Sequence, residues 1–193
     1  MPSRLADWGY GVSTGPLVWN RHKSQLTYQP GKNRLPLIWA EAITADGKFI
    51  FRAEKKNHAP YFELKSSDQW LVTSKPCVIL QRTTAKEQNR RLIATALPIE
   101  FLQQHGGVVI ENHINMVRPL NDSPAVSSAV LAAFLNSGAA DRAFRCVSGS
   151  VAVSAYELES LPLPAPKALK ELTTLVEVGG SKECIEIACS KLF

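Results

Sequence analysis

The sequence predicts an α+β fold, with a mixed or antiparallel twisted sheet in the N-terminal two-thirds and helices concentrated in the C-terminal third. Three observations predict it. Short apolar runs bounded by Gly, Pro and Asp recur as far as Val117, which is the pattern of strands. Asp46-Gly47 stands between two such runs, a hairpin signal. After Ser123 the apolar spacing changes from two to about 3.6, as helices require.

Taken in order, Met1 to Gly15 is polar and glycine-rich, and reads as a flexible N-terminal segment. Its G-x-G-x-x-x-G spacing follows no strand and runs into Pro16, which argues against a nucleotide loop. Leu17-Val18-Trp19 is an apolar anchor from which Asn20, Arg21, His22 and Lys23 project. Tyr28 to Arg34 is turn-like around Pro30-Gly31, and Leu37 to Ile43 pairs with Lys48 to Arg52 across the Asp-Gly turn. Glu54 to Ser67 is a polar connection with a short strand at Tyr61 to Leu64. Cys77 to Leu80 is a strand buried on both faces, and Arg91 to Leu97 a second. Pro98 to Gln104 is a helical turn broken by His105-Gly106-Gly107, and Val108-Val109-Ile110 is a buried strand. Ser123-Pro124 opens a helix apolar nearly all round to Leu135, and Asn136-Ser137-Gly138 stops it. Ala139 to Arg145 is a second helix, Ser148 to Val153 is extended, and Ser154 with Glu157 is a capping-box pair. Leu161 to Pro166 is an extended strut. Lys167 to Val178 and Ser181 to Leu192 are helices, the first with Leu169, Leu172 and Val176 on one face, the second with Ile185, Ala188, Cys189 and Leu192.

A chain of 193 residues suits one globular domain, or one domain with a small appendage, and buries roughly 70% of its unfolded surface. It therefore needs no metal or disulfide staple. Cys77, Cys146, Cys184 and Cys189 form no CxxC pair and read as free, mostly buried thiols of a reducing cytoplasm. The longest uninterrupted apolar run, Ala129 to Leu135, is too short to span a bilayer, so no membrane partner is expected. Met1 to Gly15 lacks the charged-then-apolar pattern of a signal peptide.

Charge is uneven. From Arg21 to Arg91 there are 14 basic and 6 acidic side chains, a balance of +8; the remainder has 8 basic and 11 acidic, a balance of −3. A basic half points to an anionic partner. The stretch between the two central strands concentrates the signal, with Arg82, Lys86, Arg90 and Arg91 among Thr83, Thr84, Gln88 and Asn89. Guanidinium forks match phosphate oxygens and guanine edges, and amides match adenine. The plain alternative is a solvated hairpin loop. An RNA-binding or general interaction module would use the same basic half.

No enzyme signature stands out. His22, His58, His105 and His113 form no H-x-x-x-H or H-E-x-x-H pattern, so no metal ligands are assigned. Asn112-His113 faintly echoes a nuclease centre, but no second histidine or acidic cluster accompanies it. Glu111-Asn112-His113 reads as a hydrogen-bonding cluster that binds ligand or braces a loop. Ser148-Gly149-Ser150 is no nucleophile elbow.

Several segments, in order, resemble the C-terminal target-recognition domain of TaqI-like N6-adenine DNA methyltransferases of restriction–modification systems. They are Thr14-Gly15-Pro16-Leu17-Val18-Trp19-Asn20-Arg21-His22-Lys23, Leu80-Gln81-Arg82-Thr83-Thr84, Glu111-Asn112-His113-Ile114-Asn115, Leu135-Asn136-Ser137, and Phe144-Arg145 through Gly149-Ser150 to Glu157-Leu158 and Leu161-Pro162-Leu163-Pro164. The resemblance implies a target-recognition domain over residues 1–165 and a helical appendage over 166–193. It implies double-stranded DNA as partner, with Asn20, Arg21, His22, Lys23, Arg82, Thr83, Thr84, Asn112, His113 and Asn115 facing it, and the reading of the basic loop adds Lys86, Arg90 and Arg91. The family's Asn-Pro-Pro-Tyr type motif and cofactor-binding strand–loop are missing from this sequence. No cofactor is therefore expected in this chain. S-adenosylmethionine and methyl transfer are expected of a catalytic domain supplied in cis or in trans.

Overall fold

A computed structural model describes residues 1–83, 89–150 and 152–193. Nine strands precede five of the six described α-helices, giving the α+β arrangement expected from the sequence.

Two sheets lie at the centre. The first has four antiparallel strands in the order β1 (Tyr10–Thr14), β9 (Ile114–Pro119), β6 (Val78–Gln81) and β7 (Ala94–Ala96). The second is mixed, in the order β2 (Leu26–Thr27), β4 (Tyr61–Glu63), β3 (Arg34–Ile38), β8 (Val108–Ile110) and β5 (Val72–Thr73). Its β3–β8 pair is parallel and its other pairs antiparallel.

Side-chain alternation explains the layering. Along β6, Val78 and Leu80 face a core that they share with the C-terminal helices, while Ile79 faces a core between the sheets. Along β8, Val108 and Ile110 join that inter-sheet core and Val109 joins a third one outside the second sheet. Both β6 and β8 are therefore buried on two faces, which is why Val78 to Leu80 and Val108 to Ile110 are unbroken apolar runs. Gln81 enters the inter-sheet core by donating to Ala40 O (3.2 Å) and Ile43 O (2.7 Å).

The helices cover the first sheet. They are α1 (Ile99–His105), α2 (Ser128–Leu135), α3 (Gly138–Val147), α4 (Ala155–Glu159), α5 (Lys170–Glu177) and α6 (Lys182–Ser190), of which α1 packs on the inter-sheet core instead. Leu169 and Leu172 from the start of α5 and Cys189 from α6 are buried in the same core as Phe134 and Phe144. Ser127, Ser137, Ser154 and Ser181 each cap a helix through the side-chain oxygen. Ser154 and Glu157 form the expected reciprocal box.

Four expectations are corrected. Met1 to Gly15 is an ordered part of the core. Leu5 and Trp8 are buried in a 3-10 turn, and Tyr10 to Thr14 is an edge strand on β9. Gly9 adopts φ +90° and lies so close to Pro124 that a Cβ would clash. The first long helix opens at Ser127, not Ser123, because Ala125 N donates to Trp8 O and Val126 O accepts from the Tyr10 hydroxyl, holding that segment extended. The Asp46-Gly47 turn closes only one antiparallel bridge, Ile43 to Phe49, since a 3-10 turn at Ala40–Ala42 interrupts the preceding strand. Of the thiols, Cys77 and Cys189 are buried, but Cys146 and Cys184 are exposed on helix surfaces. Burial pushes the Cys77 thiol up to about 12 and the Cys189 thiol up to about 11, so neither is a ready nucleophile. Among the described residues no helix is long and apolar enough to cross a membrane.

Candidate nucleic-acid interface

The two sheets meet where four strands end. Thr14-Gly15-Pro16-Leu17 passes from one sheet to the other there. Thr14 pairs with Asn115 in the first sheet. Gly15 N donates to Ile114 O at 2.8 Å. Leu17 then lies parallel to Glu111, with Leu17 N on Ile110 O (3.1 Å) and Asn112 N on Leu17 O (3.0 Å). A Cβ at Gly15 would come within 2.2 Å of the Glu111 carbonyl oxygen, so the crossing admits only glycine. Gly9, Gly11 and Gly15 are thus consumed by close packing against Pro124, Leu120 and Glu111. They form no phosphate cradle, and the residues here do not fit a nucleotide-type cofactor.

The turn from β8 to β9 is Glu111-Asn112-His113. The Glu111 side chain is 1% exposed. Its carboxylate accepts from His113 N at 2.8 Å and meets His113 Nδ1 at 2.7 Å. The imidazole is 57% exposed, so the buried carboxylate aims an otherwise solvent-facing ring. Arg82 crosses to this turn from the end of β6. Its backbone N–H donates to His113 O (2.9 Å) and its guanidinium Nη1 to Asn112 O (3.2 Å). One arm of the fork is occupied and the side chain stays half-buried. Thr83 beside it is exposed and bridges to Ala152, and Val153 N donates to Arg82 O at 2.8 Å. Arg82, Thr83, Asn112 and His113 therefore share one junction, and Leu17 roots the Asn20–Lys23 segment on it.

That segment forms two consecutive 3-10 turns, Trp19–Arg21 and Lys23–Gln25. Asn20, Arg21 and Lys23 are exposed, and Lys23 Nζ lies 5.8 Å from the Trp19 ring centroid. His22, expected to project, turns inward. Its Nδ1 lies 3.0 Å from Gln25 Oε1 and its ring packs edge-on against Phe62 at 5.8 Å. Asn115 does not reach the surface. It is 0% exposed, and its Nδ2 donates to Val153 O at 2.6 Å, tying residues 152–153 to β9.

The far end of the basic loop goes elsewhere. Arg90 Nη1 donates to Asn136 O at the C-terminus of α2. Arg91 N (2.5 Å) and Leu92 N (2.9 Å) donate to the buried carboxylate of Asp141 in α3, which Arg145 Nε also approaches at 2.8 Å. Asn136 seals the edge of β7, donating to Ala94 O (2.5 Å) and accepting from Ala94 N (3.0 Å). The Arg90 side chain and the Arg91 backbone are thus tied to the helical layer. Thr84 and Lys86 lie outside the described residues.

Sequence reasoning missed the residues that brace these contacts. Gln25 and Asp141 act through long-range partners and carry no local motif, and Asn136, read as a helix stop, also seals β7. Among the described residues no three His, Cys, Asp or Glu side chains gather as a metal site, so His113 has a carboxylate partner but no ligand set.

An exposed junction of guanidinium, imidazole, amide and hydroxyl groups, built on rigid strand ends in a basic chain, defines a surface suited to an anionic, hydrogen-bonding partner. Over most of its length the chain is similar in sequence to two Type II methyltransferases. Type II methyltransferase M.PstI of Providencia stuartii is 30% identical over 185 residues, which take in 93% of this chain and 35% of that protein. Type II methyltransferase M.BsuBI of Bacillus subtilis is 29% identical over 171 residues, 87% of this chain and 33% of that protein. The chain spans about a third of the length of these relatives. No family model matches it.

Proposed function

We propose that this chain is the target-recognition domain of a TaqI-like, adenine-specific (N6) DNA methyltransferase of a restriction–modification system. It reads duplex DNA for a catalytic domain that lies outside it, in cis or in trans. The observation that carries the reading is the match itself: nearly all of this chain, but only a third of each relative, is shared. The polar junction is consistent with that role. A methyltransferase acting on a base must grip the duplex while the base leaves the stack, and phosphate and groove contacts supply the grip.

In this reading Asn20, Arg21, Lys23, Arg82, Thr83, Thr84, Lys86, Asn112 and His113 face DNA. His22 and Asn115 position them from behind. Arg90 and Arg91 hold the far end of the loop. Residues 1–165 form the recognition unit and 166–193 a helical appendage that braces its core. S-adenosylmethionine belongs to the catalytic domain, and the setting is the cytoplasm, where the DNA is.

Fluorescence anisotropy of the chain on labelled duplex DNA, single-stranded DNA and duplex RNA across a salt series tests this. Duplex DNA should bind best and weakly. With about five phosphates engaged, log K should fall against log salt with a slope of roughly −4 to −5. Equal binding to RNA and DNA would make the chain a general nucleic-acid module instead. Micromolar binding of S-adenosylmethionine to this chain in calorimetry would overturn the division of labour.

A further inference from the structure

We propose that Trp70 is a stacking contact to the DNA, resting its indole on a base or deoxyribose at the rim of the interface; this inference rests on the DNA-binding reading above. Trp70 is 66% exposed, whereas Trp8 and Trp39 are buried and Trp19 is half-buried. Single exposed apolar side chains are ordinary on protein surfaces. Three features set this one apart.

The first is its mount. Trp70 sits on a 3-10 turn, Ser66–Leu71, pinned on both sides of it. Leu71 is buried in the outer core with Phe62 and Trp39. Asp68 is buried, and its carboxylate accepts from Lys65 N (3.0 Å), Gln25 Nε2 (2.6 Å) and Ser67 Oγ (3.2 Å). An indole on so fixed a backbone loses little freedom when it is covered.

The second is the link to the basic segment. Gln25 is buried, donates also to Glu63 O (2.9 Å), and meets His22 Nδ1. One side chain thus ties the Trp70 turn to the 3-10 turns that carry Asn20, Arg21 and Lys23. The third is charge. Lys65 caps the turn that carries Trp70, Arg21 and Lys23 are exposed on the segment that Gln25 ties to it, the Asp68 carboxylate is turned inside, and Glu63 is paired with Arg34 at 2.8 Å. Exposed aromatic rings with cations are how proteins hold single-stranded nucleic acid without reading its sequence, and a duplex from which a base has left the stack offers the same open base faces.

The test compares the chain with Trp70→Phe and Trp70→Ala on a mixed-sequence duplex and on the same duplex with one mismatched pair. Affinity is followed by anisotropy and the ring by tryptophan emission. DNA should quench the emission of the unaltered chain, and the quenching should be smaller in both variants, which keep the half-buried Trp19. Trp70→Ala should bind roughly 5- to 100-fold more weakly, as loss of one base stack implies. Trp70→Phe should recover most of the affinity. The salt slope should not change, because no charge is removed. The mismatched duplex should bind the unaltered chain more tightly, and Trp70→Ala should lose that preference. If the unaltered chain binds duplex DNA and Trp70→Ala binds equally well, the stacking role is overturned while the DNA-binding reading stands. If Trp70→Ala keeps DNA binding but loses retention by a separately supplied methyltransferase catalytic domain, Trp70 is a protein contact and the proposal fails. If the unaltered chain binds no duplex at all, the DNA-binding reading fails first and takes this inference with it.

Discussion

The two ends of the loop between β6 and β7 carry the same kind of residue and do different work. At the first end Arg82 lies on an exposed junction, with one guanidinium arm on the Asn112 carbonyl and Thr83 open beside it. At the second end Arg90 is spent on Asn136 O, and the Arg91 and Leu92 amides on Asp141. The lesson is that arginine in a polar run says nothing about direction. What decides is the element across from it. Arg82 faces the β8–β9 turn at the rim of both sheets, whereas Arg90 faces two helix ends that need donors and acceptors satisfied.

The sharpest way to break this comparison is at Asp141. Its carboxylate is buried and serves two backbone N–H groups and Arg145. Asp141→Ala leaves both amides without an acceptor, and it should destabilise the fold by about 2–4 kcal/mol. Urea denaturation measures this. DNA affinity should fall only as far as the folded fraction falls. A variant of unchanged stability would show that the second end is not a structural anchor.

Arg82 should behave in the opposite way. Arg82→Ala removes one hydrogen bond at a half-buried site, so stability should change little. In the full methyltransferase it should cost about 1–3 kcal/mol on the cognate site if the free arm and its neighbour reach a base edge. Lysine in its place should rescue little, because the fork is lost. Equal loss on cognate and random duplex would make Arg82 a phosphate clamp. No loss on either would return the first end to a solvated hairpin.

Acid should loosen the segment that carries Asn20, Arg21 and Lys23, which the Asp68 carboxylate braces through Gln25. The Lys65 N–H beside Asp68 holds its carboxyl below the usual carboxylate range, with the Gln25 and Ser67 side chains helping against the opposing pull of burial. A depressed folded-state value means stability that is full above the unfolded value, near pH 4, and is lost as pH falls below it. The Asn20–Gln25 seam should therefore lose protection below about pH 4 in hydrogen exchange. Asp68→Asn should flatten that acid dependence. An unchanged acid profile in Asp68→Asn would remove Asp68 from the scaffold of the DNA-facing segment.

The fold was legible where one residue type repeats along one element. Val78 to Leu80 and Val108 to Ile110 announced doubly buried strands, and Ser154 with Glu157 announced a helix start. It was less legible where a segment's partner is far away in sequence. The N-terminal residues looked mobile because Leu5, Trp8 and Tyr10 are sparse among polar neighbours, yet Trp8 Nε1 reaches Pro164 O and Tyr10 reaches Val126 O. Ser123-Pro124 looked like a helix start because nothing local reveals that Trp8 O holds Ala125. The candidate site shows the same limit. Arg82, Asn112 and His113 could be picked by type, and the structure brings them together. Asn115, equal to them by type, is buried because it falls on the β9 register opposite Leu80 and Thr14. Trp70 was passed over because a single tryptophan in a polar stretch has no pattern. Its exposure is visible only after its neighbours are placed.

The smallest expected effect separates the two ends most cleanly. Lys23→Ala and Arg90→Ala each remove one formal charge, so a nonspecific field would weaken DNA binding alike in both. Lys23 is exposed on the segment rooted at the Arg82 junction, with its ammonium over the Trp19 ring. If it neutralises one phosphate, its loss should lower the salt slope by about one and weaken binding alike on all sequences. Arg90 is half-buried and engaged with Asn136 O, so its loss should leave the slope unchanged and appear instead in urea denaturation. Replacing an internal hydrogen bond to a charged group should cost about 1.5–3 kcal/mol of stability. Equal slope changes in the two variants would mean that DNA senses only the net charge of the basic half, and the distinction between the two ends would collapse.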